Sequence, residues 1–97
     1  MLGILAEARR DVEGVAAWYE NEQAGLGARF LCELDGVLKR IEASPGRFPT
    51  VDEGVRRAIL RRFPFGIYFQ ERDGETVVLA VLHFSRQPGI WQDRLQG

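Results

Sequence analysis

The pattern of apolar and polar positions divides the chain into a helical half and a β-rich half. From Glu7 to about Glu22, apolar residues recur every three or four positions, which predicts an amphipathic helix. The same periodicity runs from about Leu26 to Ala43 and predicts a second helix. Between them, "QAGLG" (23–27) supplies two glycines suited to a helix end and a tight turn, so the helices should form an antiparallel hairpin.

After residue 43 the apolar period changes from helical to strand-like. "SPGRFP" (44–49) stops the second helix, and residues 44–54 are predicted to be a loop. Three strands are predicted next: "VRRAILRRF" (55–63), "GIYFQER" (66–72) and "ETVVLAVLHF" (75–84), the last nearly all apolar and therefore central. The Asp73-Gly74 pair predicts a type I′ hairpin, and Pro64, which has no amide hydrogen, marks the other turn.

These elements predict an α+β domain. An N-terminal helical hairpin should pack on a mainly antiparallel sheet of three to four strands, within one domain that spans residues 1–97. The first five residues, "MLGIL", are either a short strand or an unanchored start. The final segment, with Trp91 and Leu95 at helical spacing, should pack back as a short tail.

Charge and cysteine content exclude several classes of function. The net charge of −1 disfavours a non-specific nucleic-acid binder, although residues 55–97 carry seven arginines against four acids. One cysteine and one histidine disfavour a zinc site, and no cofactor is expected. No apolar run approaches a membrane span and no signal peptide is evident, so a reducing cytoplasm is the expected location.

His83 and Arg86 are the residues most suited to chemistry. Cleaving RNA requires an acid or base and a cation for the developing phosphorane charge, and both side chains follow the predicted central strand. The alternative is that His83 completes a hydrogen-bond network at the end of the sheet.

Other polar residues have simpler interpretations. Strand alternation would place Arg57 and Arg61 on one face of the sheet and Arg56 and Arg62 on the other. Each pair either binds an acidic peptide or phosphate, or is a charged, solvated sheet edge that keeps the protein soluble. Cys32 should be a small buried residue. Trp18 should lie either in the core or at an interface with a partner protein, and the same holds for Tyr19 and Tyr68. The helix acids should lie on solvated faces; they are Asp11, Glu13, Glu33 and Asp35.

The order and spacing of several segments resemble the RelE/ParE superfamily of type II toxin-antitoxin toxins. The matching segments are "AEARRDVEGVAAWYE" (6–20), "GLGARFL" (25–31), "RRFPFGIYF" (61–69), "VLAVLHFSRQP" (78–88) and Trp91. The resemblance implies a small cytoplasmic bacterial toxin that a cognate antitoxin neutralises by wrapping over it, as a hetero-oligomer or with a toxin homodimer. One branch cleaves messenger RNA on the ribosome without a metal, and the other poisons DNA gyrase without known catalysis.

The ribonuclease pattern of that superfamily is incomplete in this chain. Two basic positions of the first strand match Arg57 and Ile59, an arginine of the next strand matches Gly66, and an arginine after the last strand matches Arg86. The tyrosine that follows matches Gln92, which cannot transfer a proton in the same way.

The resemblance therefore favours the ParE-like branch. It implies a target-facing surface that includes Arg57, Arg62, Arg86 and Trp91, and an antitoxin surface around Trp18 and Tyr19. Gyrase is the expected target. A RelE-type ribonuclease acting through His83 and Arg86, or a non-toxic relative that only binds antitoxin, remains an alternative.

Overall fold

The computed structural model describes residues 2–85 as two helices on a five-stranded sheet. The elements are β1 (Leu2–Ile4), α1 (Ala6–Glu22), α2 (Leu26–Ala43), a 3₁₀ turn (Pro45–Arg47), β2 (Thr50–Asp52), β3 (Val55–Ile59), β4 (Phe65–Arg72) and β5 (Glu75–His83). This architecture confirms the predicted α+β fold, with a sheet slightly larger than expected. The helical hairpin and both bounds of α2 are as predicted.

The sheet has the strand order β1-β5-β4-β3-β2. β1 is parallel to β5, and every other neighbouring pair is antiparallel. Asp73 and Gly74 both have positive φ, 51° and 80°, which confirms the predicted hairpin between β4 and β5. "MLGIL" thus contains an edge strand rather than an unanchored start.

The turn between the two helices depends on Glu20 and Gly27. The Glu20 carboxylate accepts hydrogen bonds from the Gly25 amide at 2.9 Å and the Gly27 amide at 3.0 Å, which satisfies two donors at the start of α2. Gly25 has a φ of 88°, which favours glycine at the turn. Gly27 brings α2 against the Ala16 carbonyl of α1, where a Cβ would lie only 2.6 Å from the oxygen.

Each face of the sheet has its own apolar cluster. The helices bury one face, where the side chains that meet them include Phe30, Ile41, Ala58, Ile67 and Val81. The opposite face carries a second cluster, which contains no helix residue and consists of Val55, Tyr68, Leu79, Ala80 and Leu82. Both faces are therefore apolar, in keeping with the nearly continuous apolar sequence of β5.

The predicted loop 44–54 and the predicted strand 55–63 both differ from the structure. The predicted loop contains the 3₁₀ turn and β2. Two hydrogen bonds from β3 stabilise it: the Arg57 amide donates to the Pro49 carbonyl at 3.1 Å, and Nη1 of Arg56 donates to the Phe48 carbonyl at 2.6 Å. β3 stops at Ile59, because the amides of Arg61 and Arg62 donate to a carboxylate of α2 instead of a neighbouring strand. The predicted division of Arg61 and Arg62 between faces is therefore wrong.

Neither described helix has the length and apolar character of a membrane span.

Candidate functional site

Three surfaces of the described chain carry the residues that the sequence singles out. The α1 cleft lies between α1 and the ends of β4 and β5, the Arg57 niche lies on the opposite face of the sheet, and the Arg notch lies between α2 and the β3–β4 turn.

The α1 cleft has a volume of about 340 Å³ and mixes aromatic with charged walls. Trp18 is 59% exposed at its rim, a large fraction for this side chain. The rings of Phe65 and His83 meet edge to face, with centroids 5.2 Å apart. The lining residues are Arg10, Asp11, Gly14, Val15, Trp18, Phe65, Val81, Leu82 and His83.

The hydrogen bonds of His83 determine which ring nitrogen carries its proton. Nδ1 accepts the Ser85 amide at 3.0 Å and also lies 2.9 Å from the Ser85 hydroxyl. A backbone amide can only donate, so in the neutral ring the proton resides on Nε2. Nε2 is then a donor, which is unfavourable for a general base. His83 takes part in a hydrogen-bond network at the sheet end, the simpler of its two sequence interpretations.

Asp11 connects α1 to the edge of β5. Its carboxylate accepts the Val81 amide at 3.0 Å, just beyond the point where pairing between β1 and β5 ends at Val78. Asp11 therefore satisfies a strand-edge donor that no strand covers, and it is not the simple solvated acid that its sequence position indicates.

Tyr19 and Trp18 differ although they are neighbours. Tyr19 packs into an aromatic cluster, with ring centroids 4.9 Å from Phe63, 5.8 Å from Phe30 and 6.2 Å from Phe65. Burial raises the pKa of the Tyr19 hydroxyl above its usual value. Tyr19 is thus mainly a packing residue, whereas Trp18, whose ring is 5.1 Å from that of Tyr19, offers most of its surface outward.

The Arg57 niche is built on a glycine. Arg57 lies opposite Tyr68 in the β3–β4 register, and its side chain runs across Gly66. A Cβ on Gly66 would come within 3.2 Å of Arg57 Cδ and 3.4 Å of Tyr68 Cε1. The Arg57 Nε is buried and finds no hydrogen-bond partner among residues 2–85.

The register places His83 and Arg57 on opposite faces of the sheet. His83 is paired with Phe65 and faces the helices, whereas Arg57 is paired with Tyr68. Because side chains alternate along a strand, Phe65 and Tyr68 point to opposite sides. The sheet therefore separates the side chain of His83, the one histidine of the sequence, from that of Arg57.

The Arg notch is organised by Glu33. Its carboxylate accepts hydrogen bonds from the amides of Arg61 and Arg62, the second at 3.1 Å. The notch has a volume of about 650 Å³, and its lining residues are Leu26, Arg29, Cys32, Glu33, Arg62 and Phe63. Cys32 is exposed there, so its predicted burial is wrong, because it lies beside the apolar stripe of α2 and not within it.

Not every predicted site residue lies in the described part of the chain. Arg86, Trp91 and Gln92 lie outside residues 2–85, so their predicted roles stay predictions. Among the described residues, no cluster of three His, Cys, Asp or Glu side chains could hold a metal ion. The sequence missed the roles of Asp11 and Glu33, since both act on backbone amides far away along the chain.

One family model matches most of the chain. The family model described as the ParE toxin of the type II toxin-antitoxin system, parDE, matches residues 4–88. A solved structure described as the chromosomal ParDE TA system from P. aeruginosa superposes with a TM-score of 0.65 at 18% identity, covering 84% of this chain and 92% of that one. This likeness supports the fold. No curated protein matches the chain significantly.

Proposed function

Because the chain belongs to the ParE family of type II toxin-antitoxin toxins, we propose that it acts by binding and poisoning DNA gyrase and is neutralised by a cognate antitoxin. In this proposal the toxin has no catalysis of its own. Arg57, Arg62, Arg86 and Trp91 face the target, and the surface around Trp18 binds the antitoxin.

The separation of His83 from Arg57 carries the proposal. A metal-free ribonuclease needs a proton-transfer group and a cation at one phosphate, and Arg57, the described arginine that matches the ribonuclease pattern, lies on the opposite face of the sheet from His83. The position that matches an arginine of the RNA-cleaving relatives is Gly66, and the stem of Arg57 lies over it. Both observations favour binding over RNA cleavage.

One observation favours a RelE-type ribonuclease as the second candidate. The α1 cleft places Arg10 and Asp11 among the same lining residues as His83, so a cation and a carboxylate lie near the ring. Arg86 would add a second cation. Against a role of His83 as the general base, Nδ1 accepts the Ser85 amide, which leaves the proton on Nε2 in the neutral ring.

Trp18 supports the antitoxin surface more than Tyr19 does. A tryptophan that is 59% exposed at the rim of a cleft with apolar residues such as Val15 and Phe65 is typical of a residue that anchors a protein partner. Tyr19 is committed to contacts with Phe30 and Phe63, so its contribution is support of the Trp18 ring. The chromosomal ParDE neighbour also links this fold to a toxin-antitoxin pair.

Induced expression in a bacterial host tests toxicity. We expect growth to stop without antitoxin and to recover when the adjacent antitoxin gene is co-expressed. Trp18→Ala should remain toxic but escape rescue, while Glu22→Ala, an exposed change on the same helix, should be rescued normally. Tolerance of the wild-type chain without antitoxin would instead support the non-toxic relative.

Mapping of DNA breaks and transcript ends identifies the target. Gyrase-linked DNA breaks with intact messenger RNA are the expected result, and they should weaken in Arg57→Ala and Arg62→Ala but not in Arg40→Ala, an exposed arginine on α2. Codon-phased messenger RNA cuts that disappear in His83→Ala and Arg86→Ala would overturn the gyrase proposal and establish the ribonuclease.

A further inference from the structure

The Arg notch contains two guanidinium groups that form no ion pair with the described residues. Arg29 of α2 and Arg62 of the β3–β4 turn line it from two sides. Its one carboxylate, Glu33, already accepts the amides of Arg61 and Arg62. With two arginines and one carboxylate, the notch carries one net positive charge, and its guanidinium groups lie beside apolar walls from Leu26 and Phe63.

Glu33 fixes the backbone from which one of these guanidinium groups extends. The amide of Arg62 lies 29 positions along the chain from Glu33, and a hydrogen bond to an ionised acceptor is stronger than one between neutral groups. The neighbouring Phe63 is buried and packs on Tyr19 and Phe30. Arg62 thus lies between two anchored positions, the Glu33 carboxylate and the Phe63 ring, which limits the conformations of its backbone.

The notch is also close to the proposed antitoxin surface. The ring centroids of Trp18 and Tyr19 are 5.1 Å apart, and those of Tyr19 and Phe63 are 4.9 Å apart. The Trp18 ring and the Phe63 wall of the notch are thus linked through a single ring, and an extended peptide, which advances about 3.3 Å per residue, needs only a few residues to span such a separation. One partner segment can therefore contact both surfaces.

We propose that the Arg notch binds the carboxylates of an acidic segment of a protein partner, with Arg29 and Arg62 as the contacting cations and Glu33 as the residue that positions Arg62. The inference rests on the proposed antitoxin surface: the partner that covers Trp18 would place its acidic residues here and would thereby also cover Arg62, one of the proposed target-facing residues. Charge complementarity selects this occupant, because two guanidinium groups beside an apolar wall suit a carboxylate on a flexible methylene stem.

Hexaglutamate and hexaglutamine are suitable probes of the purified full chain. Cys32 is the one cysteine of the sequence and is exposed in the notch, so occupancy should slow its reaction with a thiol reagent. We expect protection by hexaglutamate that saturates and weakens with salt, and none by hexaglutamine. Equal protection by both peptides would overturn the proposal.

Arginine variants locate the binding. Arg29→Ala and Arg62→Ala should each weaken hexaglutamate binding by about threefold to fivefold, the scale of one partly exposed charge pair. Arg40→Ala removes the same charge from the same helix outside the notch and should bind as the wild type does. If all three variants lose affinity equally, the attraction is a general charge effect and the notch is not a site.

Glu33→Gln and Glu33→Ala together separate positioning from charge. Both remove the negative charge beside the notch, but only Gln keeps an oxygen that can accept the Arg61 and Arg62 amides. We expect hexaglutamate to bind Glu33→Ala more weakly than Glu33→Gln, with larger nuclear magnetic resonance shifts at the Arg61 and Arg62 amides in Glu33→Ala, whereas Glu42→Gln changes neither. Equal binding by the two Glu33 variants refutes the positioning role. Because binding is measured without cells or antitoxin, failure here is distinct from failure of the growth assay.

Discussion

The side chain of Arg57 lies across Gly66, with its Cγ and Cδ atoms 3.3 and 3.2 Å from the place that a Cβ would occupy. The contact explains why the smallest residue suits this strand position: a longer side chain would compete with Arg57 for the surface beside Tyr68. The absence of an arginine at residue 66 and the presence of one at residue 57 are therefore linked by packing.

Gly66→Arg should destabilise the fold. The new side chain displaces Arg57 and places two like charges together, so we expect the free energy of unfolding to fall by about 1–3 kcal/mol in urea titrations. Gly66→Ala should cost less than about 1 kcal/mol, since only flexible methylenes must move by a few tenths of an ångström. Gly36→Arg adds the same charge at an open position on α2 and is the control. Wild-type stability in Gly66→Arg would contradict the packing role of Arg57.

Gly27→Ala should weaken the helical hairpin. A Cβ at residue 27 would lie 2.6 Å from the backbone oxygen of Ala16, which moves only if the two helices separate. Thermal or urea unfolding should show a loss of about 1–3 kcal/mol.

Gly36→Ala provides the matched comparison on the same helix. Nothing lies within 4 Å of the place that a Cβ would take at residue 36, so the gain in helix propensity should stabilise the protein by about 0.5–1 kcal/mol. Equal effects of the two substitutions would mean that α1 and α2 do not approach closely at Gly27.

The features that the sequence predicted correctly are local. The bounds of α2 follow from an apolar stripe flanked by "QAGLG" and "SPGRFP", and the β4–β5 hairpin follows from Asp73-Gly74, whose turn needs positive φ at both positions. β2 has only three residues, too few for a readable alternation, and its register with β3 is irregular. Neither the two-residue apolar period of strands nor the 3.6-residue period of helices can identify a strand of this length.

The sequence gives information on the residues of the candidate site only where their position on a helix face bears on their role. The sequence left Trp18 open between core and partner interface, with core packing slightly favoured, and the structure exposes it. Glu33 and Asp11 read as ordinary solvated acids, because nothing near them in sequence shows that they accept amides 28 to 70 residues away. Such bonds arise from the packing of helices on the sheet, which periodicity does not specify. Asp35, by contrast, is the expected surface acid, paired with Lys39 at 3.1 Å.

Asp11→Ala should expose the Val81 amide to exchange and destabilise the contact between α1 and β5. The substitution leaves a partly buried donor without its acceptor, which costs about 1–3 kcal/mol. Asp11→Asn keeps an oxygen acceptor and should lose less, and Glu13→Ala, exposed on the same helix, should be near neutral. Amide hydrogen exchange of Val81 measures the local effect. Unchanged exchange in Asp11→Ala would show that the carboxylate does not protect this strand edge.

Tyr19→Phe should remove part of the loss of stability at alkaline pH. Burial raises the pKa of Tyr19 in the folded protein above the value of about 10 in the unfolded chain, so folding favours the protonated phenol. Its contribution to stability is complete below the unfolded pKa and is lost as pH rises through the folded pKa. The wild type should therefore lose stability relative to Tyr19→Phe above roughly pH 10, measured by urea unfolding. The other titratable groups are common to both proteins, so their effects cancel in the difference between the two free energies of unfolding. Ultraviolet titration of the phenols identifies the ionisation of Tyr19, which should occur at a higher pH than that of an ordinary tyrosine. A stability difference that is constant across this range would contradict burial of the Tyr19 hydroxyl.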